Sequence, residues 1–174
     1  LLLASAPDRL EIARLLIRHG AASTINMPGS FYKTTPLIAA ASRDCKGDGA
    51  LLRARAELIR LLIDNGADIK AANIYNETAL HCAALQGDTG STEILLTRGA
   101  AACLSVKSDY SGKVSYNLRP YSGMTPLMTA CYMSPNAAMA RLLIKHGARP
   151  DEIDTAVIEQ FKIESQKQKK SAAV

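Results

Sequence analysis

The sequence contains no tryptophan and few other aromatic residues. Phe and Tyr make up 5% of the 174 residues, whereas apolar residues as a whole make up 48%. That apolar fraction is ample for a buried core, so a chain disordered throughout is excluded. Ala and Leu dominate it, which favours closely packed helices over a sheet-rich fold. We therefore expect an all-α protein.

Long apolar runs and paired cysteines are also missing. The longest apolar run falls far short of the roughly 20 residues that a membrane span needs, so we expect no membrane insertion. The four cysteines show no CxxC pair and no zinc-like spacing. We expect reduced thiols in an intracellular protein, in the cytoplasm or nucleus, without metal or cofactor. The opening LLLASAPDRLEIARLL lacks a Met and a signal-peptide pattern, which suggests a segment of a longer protein.

Charge and motif content argue against two large classes of protein. The net charge of +5 is modest, and Lys and Arg alternate with acids rather than forming a basic stripe with stacking aromatics. We expect no nucleic-acid partner. The glycines do not cluster before a helix as in a phosphate-binding loop, and the three histidines have no Ser, Cys or acid as motif partner. We therefore expect no enzyme within these residues.

Four segments repeat one pattern, a Leu-rich helical run that ends in Gly-Ala. They begin at Leu1, Thr35, Thr78 and Thr125. Thr78 lies 12 positions after Gly66 and 21 before the closing Gly of its own segment, which gives a period of 33. The second segment carries an insertion of ten residues. A fixed period of this size indicates a stacked repeat protein.

The phrases TALHCAALQG and LLIDNGAD resemble the ankyrin repeat, whose pattern is TPLHxAA, a Gly, and a Leu-rich second helix ending in GAD. The resemblance runs from Leu1 to about Ala148. It implies one domain, an ankyrin-repeat solenoid of helix pairs with β-hairpin fingers, and we expect a monomer. We place the repeats at about 1–24, 33–69, 76–102 and 123–150. A capping helix is expected at about 151–168.

Local signals agree with this arrangement. Each later repeat starts with a threonine suited to cap its first helix, and each second helix is followed by a glycine suited to end it. Gly90, Ser91 and Thr92 are poor helix formers, so we expect the second helix of the third repeat to be short or frayed. His81 occupies the His position of the family pattern, which implies hydrogen bonding across a repeat junction.

Most aromatic residues lie in the linkers between repeats, which in ankyrin folds are the fingers at one edge of the concave face. Tyr is a rigid, amphipathic contact residue. The alternative is that the rings simply cover neighbouring fingers. With the exposed positions of the first helices, the resemblance gives these partner-binding residues: Phe31, Tyr32, Arg43, Ile74, Tyr75, Leu85, Tyr110, Tyr116, Tyr121, Met124, Tyr132 and Met133.

Three segments depart from the basic repeat. The linker before Thr125 is long, and apolar residues alternate with polar ones at 104–106 and 114–118 around a turn at 109–112. This pattern predicts an extended hairpin finger at about 103–120 with Tyr110 near its tip. Pro28-Gly29 predicts a turn at the tip of an earlier finger. Residues 45–56 are expected to extend a helix at the edge opposite the fingers.

These observations predict a non-catalytic scaffold that binds a protein partner through its fingers and concave first-helix face. The alternative is a docking or targeting arm of a larger protein, such as an enzyme, ligase adaptor, channel or effector, whose activity lies elsewhere. Fold by itself does not separate the two.

Overall fold

The protein is a stack of helix pairs. The structure, a computed structural model, describes residues 1–29, 31–45, 48–110 and 122–150. Within these ranges the β structure is limited to one antiparallel bridge, between Ala72 and Thr78. The predicted all-α class is confirmed, whereas the fingers do not form regular strands in the described residues. The predicted capping helix at 151–168 and residues 111–121 of the extended finger lie outside them.

The described residues form seven α-helices and several short helical turns. The α-helices are α1 (Leu10–Arg18), α2 (Pro36–Ser42), α3 (Gly49–Asp64), α4 (Ala79–Gln86), α5 (Thr89–Thr97), α6 (Pro126–Met128) and α7 (Ala137–Lys145). A π-helix, Thr129–Met133, continues α6 directly. The 3-10 turns are Leu2–Ala4, Pro7–Arg9, Ala21–Thr24 and Ala100–Cys103.

The predicted helix starts and stops are confirmed. The Thr35 side chain accepts the N–H of Ile38 at 3.4 Å, and the Thr125 side chain accepts that of Met128 at 3.3 Å. Each Leu-rich second helix ends before a glycine with φ between +90° and +112°, a left-handed conformation that favours glycine. These glycines are Gly20, Gly66, Gly99 and Gly147.

The core runs through the whole stack. First helices α2 and α4 pack on each other through alanines, including Ala40 and Ala83, which are fully buried. Their small side chains allow the helix axes to approach closely. Second helices contribute the larger apolar groups, such as Leu58 and Leu95, which are also fully buried. Each pair therefore completes its core only against its neighbours, as expected for a solenoid.

The expectation of a short or frayed α5 is wrong. The helix has nine residues, the same length as α1 and α7. The Asp88 carboxylate caps it by accepting the N–H of Ser91 at 3.0 Å and the hydroxyl of Ser91 at 2.6 Å. Ser91 and Thr92 are fully buried. Their small side chains fill an interior face, so capping and packing override weak helix propensity.

The predicted extension of the second helix in repeat two is confirmed. Helix α3 has 16 residues and begins after Asp48, whose carboxylate accepts the N–H groups of Ala50 and Leu51 at 2.8 and 3.0 Å. Within α3, the Arg55 side chain is buried and its Nη1 lies 3.0 Å from Oδ2 of Asp88. The lengthened helix is thereby tied to the cap of α5 in the next repeat.

Two local predictions about the fingers are wrong. The tip of the first finger, residues 25–34, lies at Phe31–Tyr32 rather than at Pro28-Gly29. Gly29 lies at the base, where its N–H donates to Thr34 O at 2.9 Å and a Cβ would lie 2.8 Å from a Leu2 methyl carbon. In the third finger, residues 100–124, Leu104 lies in a turn after a 3-10 helix rather than in a strand.

None of the helices within the described ranges is long and apolar enough to cross a membrane.

Candidate functional site

Backbone hydrogen bonds align the three fingers in one register. The carbonyl oxygen of Tyr32 in the first finger accepts the N–H of Ile74 in the second finger, residues 67–77, at 3.0 Å. The carbonyl oxygen of Tyr75 accepts the N–H of Asp109 in the third at 2.6 Å. In both cases a backbone N–H group donates to the carbonyl oxygen of the tyrosine in the preceding finger. The donating residue comes just before the tyrosine of its own finger. Tyr32, Tyr75 and Tyr110 therefore occupy equivalent positions.

This register stacks the rings into an aromatic row, which consists of Phe31, Tyr32, Tyr75 and Tyr110. Ring centroids lie 6.5 Å apart between Phe31 and Tyr32, 5.8 Å between Tyr32 and Tyr75, and 5.1 Å between Tyr75 and Tyr110. The rings of the first two pairs are tilted against each other, and those of the last pair are stacked with an interplanar angle of 24°. These separations fall within the favourable range for aromatic pairs. Four predicted contact residues are thus brought together along one edge.

Exposure changes along the aromatic row. Phe31 is 87% exposed and Tyr32 56% exposed, whereas Tyr75 and Tyr110 are half-buried. The Tyr110 hydroxyl donates to Oε1 of Glu77, and burial together with this carboxylate raises the pKa of Tyr110. Tyr75 has an aromatic neighbour on each side, Tyr32 and Tyr110. The open end of the row, at Phe31 and Tyr32, therefore offers the largest accessible aromatic area.

The second finger is a tightly hydrogen-bonded turn that fixes the middle of the row. Oδ1 of Asn73 accepts the N–H groups of Tyr75 at 2.9 Å and Glu77 at 3.0 Å. Its side-chain amide donates to Glu77 Oε2 at 2.9 Å. After Tyr32 and Tyr75 the chain turns through a left-handed residue, Lys33 with φ 50° and Asn76 with φ 54°. The ring of Tyr75 is therefore held in place by the hydrogen bonds of its own finger.

His81 anchors the base of the third finger, as the family pattern implies. Its Nδ1 accepts the N–H of Thr78 at 3.2 Å, so Nε2 carries the proton and faces the carbonyl oxygens of Val106 at 3.0 Å and Met124 at 3.2 Å. One imidazole thus holds both limbs of the finger. Ser108 N–H also donates to Met124 O at 2.9 Å, which closes the base.

Ile74 and Met124, two further predicted contact residues, are half-buried, and their backbone groups serve these finger contacts. Tyr110 lies opposite Ser122, whose Oγ accepts its N–H at 3.0 Å. Its predicted place near the tip of a longer hairpin depends on residues outside the described ranges, as do the predicted contacts of Tyr116 and Tyr121.

The remaining predicted contact residues lie at the C-terminal ends of the first helices. Arg43 follows α2 and is exposed, Leu85 in α4 is half-buried, and in the π-helix Tyr132 is 42% exposed and Met133 half-buried. The Gln86 amide donates to Ser42 O at 2.9 Å, so neighbouring helix ends are held together.

Potential metal ligands are dispersed in the described part of the chain, and its thiols are buried. No group of three or more His, Cys, Asp or Glu side chains among them could hold a metal ion. All four cysteines are buried and unpaired. Burial raises the pKa of the Cys103 thiol and raises that of Cys131 to about 11, which keeps both protonated near neutral pH.

Sequence reasoning missed the buried pair of Arg55 and Asp88. The two residues belong to different repeats, so no local pattern connects them. Asp88, three residues before Ser91, could have been found as an N-cap signal. The arginine could have been found by aligning the repeats on their closing glycines, since Arg55 precedes Gly66 by the spacing that separates Asp88 from Gly99.

Comparison with known proteins agrees with the repeat geometry. The family model described as ankyrin repeats (3 copies) matches residues 50–154. An ankyrin repeat protein of Acanthamoeba polyphaga mimivirus is 29% identical over 97 residues, which cover 56% of this chain and 54% of that protein. The match therefore spans about half the length of this curated relative.

Proposed function

Because the chain belongs to the ankyrin-repeat family, we propose that it is a non-catalytic module that binds a protein partner along the fingers and the adjoining ends of the first helices. Ankyrin repeats generally act as protein–protein interaction modules. The fold does not identify the partner, so the proposal rests on the surface itself.

The observation that carries the proposal is the open end of the aromatic row. Burial explains Tyr75 and Tyr110, but Phe31 and Tyr32 are exposed, although the Tyr32 backbone is hydrogen-bonded to the second finger. Large rings at low conformational cost are typical of residues that dominate binding energy. Tyr132, exposed at the end of a first helix, adds a second contact region. A partner with an apolar segment fits this surface.

The test places a photo-crosslinking side chain at Lys33, beside the open end of the row, to capture and identify a partner. Purified partner is then titrated against the double variant Phe31→Ala, Tyr32→Ala. We expect binding at least about thirtyfold weaker, as for loss of a hot spot of about 2 kcal/mol. The thermal midpoint should barely change, because both rings are exposed.

A matched control removes an exposed apolar side chain elsewhere. Ile144 in α7 is 42% exposed, and Ile144→Ala should leave affinity unchanged. If Ile144→Ala weakens binding while the double variant does not, recognition lies on the second helices and the proposed site is wrong.

A further inference from the structure

A buried arginine in α3 has an unused hydrogen-bonding edge. Arg55 is 1% exposed, and its Nη1 pairs with Asp88. Among the described residues, its Nε and Nη2 have no hydrogen-bond partner. These two N–H groups point the same way and form the fork that binds both oxygens of a carboxylate. Leaving such donors buried and unpaired is unfavourable, so the fork is an unexpected feature for a purely structural residue.

Arg55 lines a cavity of about 250 Å³ between the N-terminal part of α3 and the turn that joins α4 to α5. Cys45, Leu52 and Gln86 line it as well, together with the Asp88 region. At about 30 Å³ per water molecule, this volume accommodates a small carboxylate or the end of an acidic side chain.

The ion pair with Asp88 occupies only one of the nitrogen atoms of the Arg55 guanidinium. Its carboxylate also accepts the N–H and hydroxyl groups of Ser91 at the start of α5. The negative charge is therefore shared between Arg55 and the positive end of a helix, where anions are stabilised. One edge of the Arg55 guanidinium remains available for a second acceptor.

The insertion in repeat two explains why an arginine lies here. Counted back from the closing glycines, position 55 is equivalent to Asp88 and Asn136, the N-cap residues of α5 and α7. The insertion carries α3 past this point, so the capping position becomes a helix interior. The side chain of Arg55 therefore does not cap a helix and can project between two repeats.

We propose that the Arg55 fork is a carboxylate-binding site, separate from the aromatic row and independent of the proposed function. Nε and Nη2 are closed to solvent, so the carboxylate enters the cavity, displaces the side chains that cover the fork, and bonds side-on to Nε–H and Nη2–H while Nη1 keeps its bond to Asp88. The source is either the acidic side chain of a protein or a free small carboxylate, since both present the same group.

The test follows the Nε–H resonance of Arg55 by NMR in the full chain, assigned by its disappearance in Arg55→Lys. Glutarate and the blocked peptide acetyl-Gly-Glu-Gly-amide are titrated at constant ionic strength. We expect a saturable shift with at least one of them. Higher affinity for the peptide indicates that the natural ligand is an acidic side chain of a protein. Higher affinity for glutarate indicates a free small carboxylate.

Neutral analogues and a neighbouring arginine supply the controls. Glutaramide and the Gln peptide should produce no shift, and Arg53→Lys, an exposed position in α3, should leave the titration unchanged. Arg55→Lys keeps the charge but lacks the fork, so the affinity of this variant, measured by isothermal titration calorimetry beside the unmodified chain, should be at least tenfold lower. The proposal is overturned if amides act as well as carboxylates, or if neither carboxylate moves the resonance. The titration of the unmodified chain decides this even if the variant fails to fold.

Discussion

At the scale of single residues, His81 gives the fold a dependence on pH. Burial of the imidazole lowers the pKa of His81, an effect partly opposed by Glu77 and by the Met124 and Val106 carbonyls. The unfolded chain, with a histidine pKa near about 6.5, then takes up the proton more readily than the folded one. The stabilising contribution is complete above about pH 6.5 and declines as the pH falls toward the folded-state pKa.

We therefore expect a lower free energy of unfolding at pH 5.5 than at pH 7.5, measured by urea titration at both. His81→Gln should be less stable at pH 7.5, because the bonds to the third finger are weakened, but should lose less on acidification. His19→Gln is the control, since His19 is exposed and its replacement should leave the pH difference intact. An unchanged pH difference in His81→Gln would contradict the assignment.

At the scale of helices, the stability of α5 depends on its link to α3. Asp88→Ala removes the cap of α5 and leaves the Arg55 charge buried without a partner, which typically costs about 3–5 kcal/mol. The ion pair of Arg98 with Asp64 also joins α3 to α5, but both side chains are about half exposed. Arg98→Ala should cost no more than about 1 kcal/mol. Urea unfolding of both variants measures the difference.

A second substitution separates the buried charge from the lost cap. Adding Arg55→Met to Asp88→Ala removes the unpaired charge, so part of the lost stability should return. If the double variant is no more stable than Asp88→Ala, the loss comes from the cap alone and the charge is tolerated.

How far the sequence predicts these elements depends on how local the determining contacts are. The threonine caps, the glycine stops and the lengthened α3 follow from neighbouring residues, and the structure confirms them. The full length of α5 was missed because burial of Ser91 and Thr92 against another repeat decides it. Likewise, Tyr110 joins the aromatic row because the Asp109 N–H donates to the Tyr75 carbonyl oxygen in the second finger. The alternation of apolar and polar residues does not predict this contact between fingers.

At the scale of the whole molecule, burial is uneven along the stack. One leucine lies four positions before each closing glycine. In the second, third and fourth repeats this residue is Leu62, Leu95 or Leu143, and each is fully buried. Its equivalent in the first repeat, Leu16, is 37% exposed, and neighbouring Ile12 is 52% exposed. In a solenoid, each repeat is stabilised by the interfaces it makes. Among the described repeats, the first should therefore contribute least to the free energy of unfolding.

The matched substitutions Leu62→Ala and Leu16→Ala test this directly. Leu62→Ala opens a cavity in a closed interface and should lower the free energy of unfolding by about 2–5 kcal/mol. Leu16→Ala removes a side chain that is already partly hydrated, so about 1 kcal/mol or less is expected. Native-state hydrogen exchange should show the same order, with α1 amides exchanging faster than those of α4. Equal losses in the two variants would mean that the first repeat is as tightly packed as the interior, and that stability does not decline toward this end.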